Sequence, residues 1–146
     1  MSKADKAEAI FQTYNCAQSV LGAFAEDFGL DKDRALQTAV GFGGGMGRKQ
    51  EVCGAVSGAI IALGLASEFR EADGREKINA VYAKVSSLIN EFTEKKGSVL
   101  CRDLLDGCVL STEEGQRIFK EKNLRENCKA YIRLACELCE KQLAKA

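Results

Sequence analysis

The side chains able to do chemistry in this chain are its seven cysteines: Cys16, Cys53, Cys101, Cys108, Cys128, Cys136 and Cys139. There is no histidine. That removes the usual general base near neutral pH and the commonest metal ligand. Ser–His and Cys–His catalytic pairs, His-ligated zinc and His-ligated haem are all excluded. Any metal must sit on Cys, Asp, Glu or backbone oxygens. A thiolate is the nucleophilic, redox-active and metal-binding form of cysteine, and helix N-termini favour it. The pattern puts Cys16 and Cys53 each in the first turn of a helix, a plausible reactive or ligating pair. The plain alternative for any one of these cysteines is a small buried hydrophobe.

Spacing sorts the rest. Cys136 and Cys139 form a C-x-x-C near the end of a long helical pattern. The thioredoxin-like arrangement needs a preceding strand and a helix start, and haem attachment needs a following histidine, where position 140 is Glu. Cys128 and Cys139 share a helix face but stand roughly 16 Å apart along its axis. Cys101 and Cys108 flank a turn. The cysteine count is odd and the opening MSKADKAEAI is a polar helix start, so free thiols in a reducing cytoplasm are expected.

Cys53 belongs to a second unusual feature. Seven of the fourteen glycines fall within the eighteen residues Gly41–Gly58. Gly43, Gly44, Gly45 and Gly47 are the candidates for presenting backbone amides to a cofactor or anion at a helix start. The dinucleotide fingerprint would need a preceding strand, and the phosphate loop would need Gly-Lys-Ser/Thr. Gly47-Arg48-Lys49 supplies neither. The structural alternative is a tight turn with positive φ that lets backbones approach.

The elements that must position these groups read as helices throughout. Ala4, Ala7, Ile10 and Phe11 mark a helix over 3–12. Asn15 and Gln18 form a capping box for a helix from Cys16 to Asp27 or Phe28, ended by Gly29. One unbroken helix over 3–28 is the alternative. Asp31 caps a helix over 32–40. Val52–Ala66 carries no charge. It is too short for a membrane span and reads as a central helix buried all round. Its Gly54, Gly58 and Ala62 leave one face nearly bare for another helix. Asp73 and Glu76 form a capping pair for a helix over 74–96, striped by Ile78, Val81, Tyr82, Val85, Leu88, Ile89 and Phe92. Gly97 stops it. Ser98 caps a short helix through Leu105, and Ser111 with Glu114 caps one reaching about Lys122. The last helix runs from Leu124 to about Leu143. A length of 146 residues suits one domain, 1–146. Net charge is zero, from 21 basic and 21 acidic side chains, so neither nucleic acid nor an anionic membrane is an expected partner.

Taken together, Asn15-Cys16-Ala17-Gln18, Gly41–Gly47, Glu51–Gly58, Cys101–Leu105 and Cys128 resemble the family designated C_GCAxxG_C_C, whose label marks it as redox-active. The resemblance covers about residues 10–140. It implies that Cys16, Cys53, Cys101 and Cys128 are the working cysteines, and it gives no role to Cys108, Cys136 or Cys139. The family label reads Gly-Cys-Ala-x-x-Gly where this chain has Cys53-Gly54-Ala55-x-x-Gly58. The chain is also similar to part of a split-Soret type cytochrome, but without histidine it cannot attach haem in that way.

The sequence therefore predicts an all-α, single-domain orthogonal bundle of about five to seven helices around the glycine-rich 52–66 helix. The leading expectation is redox activity through thiols, by dithiol/disulfide exchange or electron transfer. Cys16 and Cys53 form one pair, and Cys101 and Cys128 form a second or complete the site. A partner protein or small molecule would exchange electrons with it, and the chain could form a homo-oligomer. The alternatives are an iron–sulfur cluster or zinc on the same four cysteines, and a non-enzymatic helical interaction protein.

Overall fold

A computed structural model describes residues 1–145 as an all-α protein. Among the described residues there are seven helices of eight residues or more and four short helical turns of three or four residues. Helix α1 (Lys3–Phe11) starts at Ser2, whose hydroxyl accepts from the Asp5 amide while the Asp5 carboxylate accepts from the Ser2 amide. Asn15 then opens α2 (Cys16–Phe24): its side chain accepts from the Gln18 amide at 2.9 Å, and the Gln18 side chain accepts from the Asn15 amide at 3.0 Å. This reciprocal cap ends the question of one unbroken helix. Two helices form, because Asn15 is extended and fixes the direction of the second. A tighter turn over Ala25–Phe28 extends α2 to the expected limit, and Gly29 stops it at φ 69°. Asp31 caps α3 (Lys32–Ala39) through the Arg34 amide.

The central helix α4 runs over Gly54–Ala66, starting later than the sequence suggests. Val52 pairs with Leu100 in an isolated antiparallel bridge, the Cys53 amide donates to the Val99 carbonyl, and the Cys101 amide donates to the Glu51 carbonyl. The backbone is therefore extended through Cys53, which is the N-cap and not a first-turn residue. Burial all round holds for Gly54–Ala59, whereas Ile60, Ile61, Gly64, Leu65 and Ala66 are only half-buried.

Helix α5 (Arg75–Lys96) is capped by Gly74, not Asp73. The Asp73 carboxylate instead accepts from the Arg70 amide and pairs with Lys77. Of its apolar stripe only Leu88 and Phe92 are fully buried, and Tyr82 is 61% exposed. The short α6 (Cys101–Leu104) has Leu100 as its N-cap. Ser98 braces it from outside, accepting from the Leu100 amide and donating to the Asp103 carboxylate. Helix α7 (Glu113–Glu121) is capped by Thr112 rather than Ser111, through the Gly115 amide. Helix α8 (Leu124–Leu143) matches the expected span.

Helices α2, α4 and α8 pack on one another, with α1, α3 and α5 around them. The bare face of α4 meets α2. A Cβ at Gly58 would lie 2.7 Å from the Ala17 carbonyl oxygen and 3.1 Å from Val20 Cβ. Cys139 donates its thiol proton to the Ala59 carbonyl and closes the α4–α8 side. A small second apolar cluster gathers Cys101, Leu105, Cys108 and Leu124 with Ile118 and Phe119. Cys128 packs against both clusters, at their junction. None of the described helices is long and apolar enough to cross a membrane.

Candidate functional site

The junction between the two clusters holds a cavity of about 590 Å³. Cys16, Cys53, Cys101 and Cys128 all line it, although they come from four separate segments. Cys16 opens α2 behind the Asn15 cap, and Asn15 is itself anchored by donating its amide to the Val40 carbonyl. Cys53 is the N-cap of α4, Cys101 opens α6, and Cys128 lies in the second turn of α8. Cys16 and Cys128 are half-buried, while Cys53 and Cys101 are buried.

The glycine run forms an inverted turn beside them. Gly44, Gly45, Met46, Gly47 and Arg48 all have positive φ, between 59° and 70°. Five consecutive residues of this hand make a left-handed helical turn, which costs roughly 1–2 kcal/mol for each residue with a side chain and nothing comparable for glycine. Long-span bonds hold it: Gln50 donates to the Gly44 carbonyl and Glu51 to the Gly45 carbonyl. Of the four candidate glycines, Gly43, Gly44 and Gly47 line the cavity. Gly45 does not. It is buried behind the wall, where a Cβ would come within 2.8 Å of Cys101 Cβ and 2.7 Å of Gln50 Cα. Gln50 ties the same wall to the small cluster, donating to the Cys108 carbonyl and accepting from the Leu110 amide.

Gly54 explains the exchanged order of Cys53 and Gly54. A Cβ there would lie 3.0 Å from the Phe42 carbonyl oxygen, 3.2 Å from the Ala17 nitrogen and closer still to the Cys16 sulfur. The space next to Cys53 is filled by Cys16, so glycine follows the cysteine.

Electrostatics make Cys16 the hub. Burial pushes its thiol up, against the amides of Gly44, Ala17, Cys16 and Gly54, which face the sulfur and favour its anion. Burial and then the Cys16 sulfur raise Cys53, with the Ala55 and Val56 amides opposing. The same two causes push Cys101 to about 11, partly offset by Gln50. They push Cys128 to about 12, where Cys101 adds to them and Arg125 opposes. Among the described residues two cations line the cavity, Arg48 and Arg125, and no carboxylate does. Arg125 is held over the Phe11 ring at 4.0 Å and donates to the Phe11 carbonyl. Tyr131 completes the wall, donating its hydroxyl to the Leu104 carbonyl.

The model of the family described as "Putative redox-active protein (C_GCAxxG_C_C)" matches residues 14–142. The chain belongs to this family. An uncharacterized protein of Archaeoglobus fulgidus is 33% identical, over 80% of this chain and 85% of its own length. No solved structure matches. In this C_GCAxxG_C_C protein the four cysteines that the sequence resemblance singled out line the cavity, and the other three stand apart from it. Cys136 and Cys139 are fully buried in the core, pushed up by that burial. Cys108 donates its thiol proton to the Gly115 carbonyl. Sequence reasoning missed Arg48, Gln50, Arg125 and Tyr131. The readable signal for Arg125 was its place one turn before Cys128 on the same helix face; the other three carried none. Among the described residues no three His, Cys, Asp or Glu side chains stand close enough to hold one metal ion.

Proposed function

We propose that this is a thiol redox protein whose centre is the four-cysteine cavity, with Cys16 and Cys53 cycling between dithiol and disulfide. The carrying observation is that Cys16, Cys53, Cys101 and Cys128 line one cavity while the remaining cysteines do not. In the oxidising direction two thiols lose two protons and two electrons to a partner disulfide, which leaves as two thiols. Cys16 suits the first step because it is half-buried and, although burial raises its thiol, four amides oppose that rise. Cys53 suits the second because Gly54 brings its segment against the Cys16 sulfur. Cys101 and Cys128 serve as a second pair or relay. The glycine turn supports the anion of Cys16 through the Gly44 amide, in place of a phosphate. The odd set of thiols suits a reducing cytoplasm, and residues 1–146 work as one helical unit.

A second reading rests on the donor set itself. The same four cysteines line one cavity from four segments, and a bound iron–sulfur cluster would supply one-electron chemistry there. Arg48, Arg125 and the amides facing Cys16 would offset its negative charge.

The test is an anaerobic preparation assayed for iron, acid-labile sulfide and thiol titre. On the thiol reading, mild diamide treatment lowers the titre by two, reductant restores it, and Cys16→Ser or Cys53→Ser abolishes the change. Stoichiometric iron and sulfide with visible absorbance favours the cluster. Unreactive thiols in a metal-free folded protein exclude both.

A further inference from the structure

The cavity has a charge pattern that thiol exchange alone does not require. The chain is neutral overall. Yet among the described residues the charged side chains lining this cavity are Arg48 and Arg125 alone. Among the described residues neither has a carboxylate within ion-pair distance, although nine other pairs form across the surface. Arg125 is also fixed in place. Its guanidinium lies over the Phe11 ring and one of its nitrogens is committed to the Phe11 carbonyl, which leaves further donors free. Arg48 extends from the inverted turn, with its Cγ packed beside Gly44, whose amide faces the Cys16 sulfur. One cation thus stands beside the nest around Cys16, and the other one turn before Cys128.

The volume is also informative. About 590 Å³ is the size of a small-molecule site and not of a protein surface. The walls between the two arginines are apolar, from Phe11, Leu105, Leu110 and Phe119. A short aliphatic body with anionic ends matches that lining. Asn15, whose cap holds Cys16, and Gln116 are among the neutral polar groups of the wall.

We propose that the cavity binds a low-molecular-weight disulfide bearing carboxylates, with Arg48 and Arg125 receiving the carboxylates and Cys16 meeting the sulfur–sulfur bond. This rests on the thiol reading above. The Cys16 thiolate attacks one sulfur of the ligand, forming a mixed disulfide and releasing one ligand thiolate, which takes up a proton. Cys53 then loses its proton and attacks the Cys16 sulfur. The second ligand thiolate leaves and is protonated. One disulfide has formed in the protein, and one ligand disulfide has become two thiols. The reverse sequence would oxidise the same anionic thiols.

The test uses the reduced full-length protein and three aliphatic disulfides of similar size: dithiodipropionate (anionic), hydroxyethyl disulfide (neutral) and cystamine (cationic). Thiol loss is followed over time. Two guanidiniums facing a charged ligand predict that the anionic compound reacts about tenfold faster than the neutral one, with the cationic compound slowest. Arg125→Gln and Arg48→Gln should each shrink the anionic-to-neutral rate ratio, while Arg125→Lys keeps most of it. If Arg125→Gln does not fold, salt titration of the unmodified protein serves instead: added salt should slow only the anionic reaction. Equal rates for all three compounds, or cystamine fastest, overturn the substrate class but leave the redox reading standing. Reaction with a disulfide-bonded protein and with none of the small disulfides also overturns it. If no disulfide of any kind lowers the thiol titre, both readings fall.

Discussion

Helix α4 carries three glycines whose replacement by alanine should give different results inside one element. At Gly64 nothing lies within 4 Å of an added Cβ. Alanine there removes the unfolded-state freedom of glycine and adds helix propensity, worth about 0.5–1 kcal/mol of added stability. At Gly58 the same gain is opposed by contacts of 2.7 Å to the Ala17 oxygen, 3.1 Å to Val20 Cβ and 3.3 Å to the Leu21 nitrogen. Two of those three are backbone atoms of α2, so the helices must separate. Overpacking of this kind costs about 1–3 kcal/mol, and Gly58→Ala should be destabilised by about 1–2 kcal/mol net. Gly54→Ala meets the Phe42 oxygen at 3.0 Å, the Ala17 nitrogen at 3.2 Å and the Cys16 sulfur closer still. It sits at the first helical position, where the propensity gain is smallest, so a loss of about 2–3 kcal/mol is expected. Urea unfolding under reducing conditions reads these differences. Thermal midpoints should move by about 3 °C per kcal/mol for a chain of this size. Gly54→Ala should also displace the Cys16 sulfur and change its alkylation rate at fixed pH, which Gly64→Ala should not. If all three variants are equally stable, the close α2–α4 approach is not what these glycines serve.

Further outcomes follow from the thiols and the cap. Cys101 is pushed to about 11 and Cys128 to about 12. Alkylation of the cavity thiols by iodoacetamide should therefore rise about tenfold per pH unit beyond pH 9 rather than level off near the ordinary value of about 8.5. Stability should move the other way. The folded protein holds thiol protons that the unfolded chain releases above about pH 8.5, so stability is intact below that pH. It falls as pH rises towards the folded values of about 11 for Cys101 and about 12 for Cys139. Each such thiol contributes a slope of about 1.4 kcal/mol per pH unit inside its window. Urea midpoints between pH 8 and 11 check this, and a flat profile would contradict it. Asn15→Ala removes the Gln18 cap and the bond to Val40 together. It should lower stability by about 1–2 kcal/mol and loosen Cys16, seen as faster labelling at that residue.

Much of this arrangement is written locally. The Asn15–Gln18 box, the Gly29 and Gly97 stops and the bare Gly54–Gly58 face depend on a few neighbouring residues, and each appears in the structure as its pattern implies. Errors arose where a distant segment or a competing neighbouring group decided the outcome. Cys53 is an N-cap because Val52 bridges Leu100, almost fifty residues away. Thr112 replaces Ser111 as a cap, with Gly115 one turn on pressed against the Val109 carbonyl. Asp73 yields its cap to Gly74 because its carboxylate is drawn to the Arg70 amide and to Lys77. The four cavity cysteines were grouped by family resemblance; their spacing alone could not have brought them together, since they arrive on four segments. Arg48 was unreadable for the same reason: a cation lining a cavity looks like any surface cation until the walls exist, and only the placing of Arg125 one turn before Cys128 gave a hint.

The inverted turn over Gly44–Arg48 also has a stereochemical meaning. Along these five residues the backbone follows the path natural to the mirror-image amino acids. Three glycines make the segment indifferent to handedness, because glycine is its own mirror image. Met46 and Arg48 are the two places where an L-residue works against its own chirality. They are therefore the positions at which a chemically synthesised chain would relax on inversion to the D form. Arg48 keeps its unfavourable hand at a point where it lines the cavity, so at that residue the direction of the side chain outweighs the comfort of the backbone.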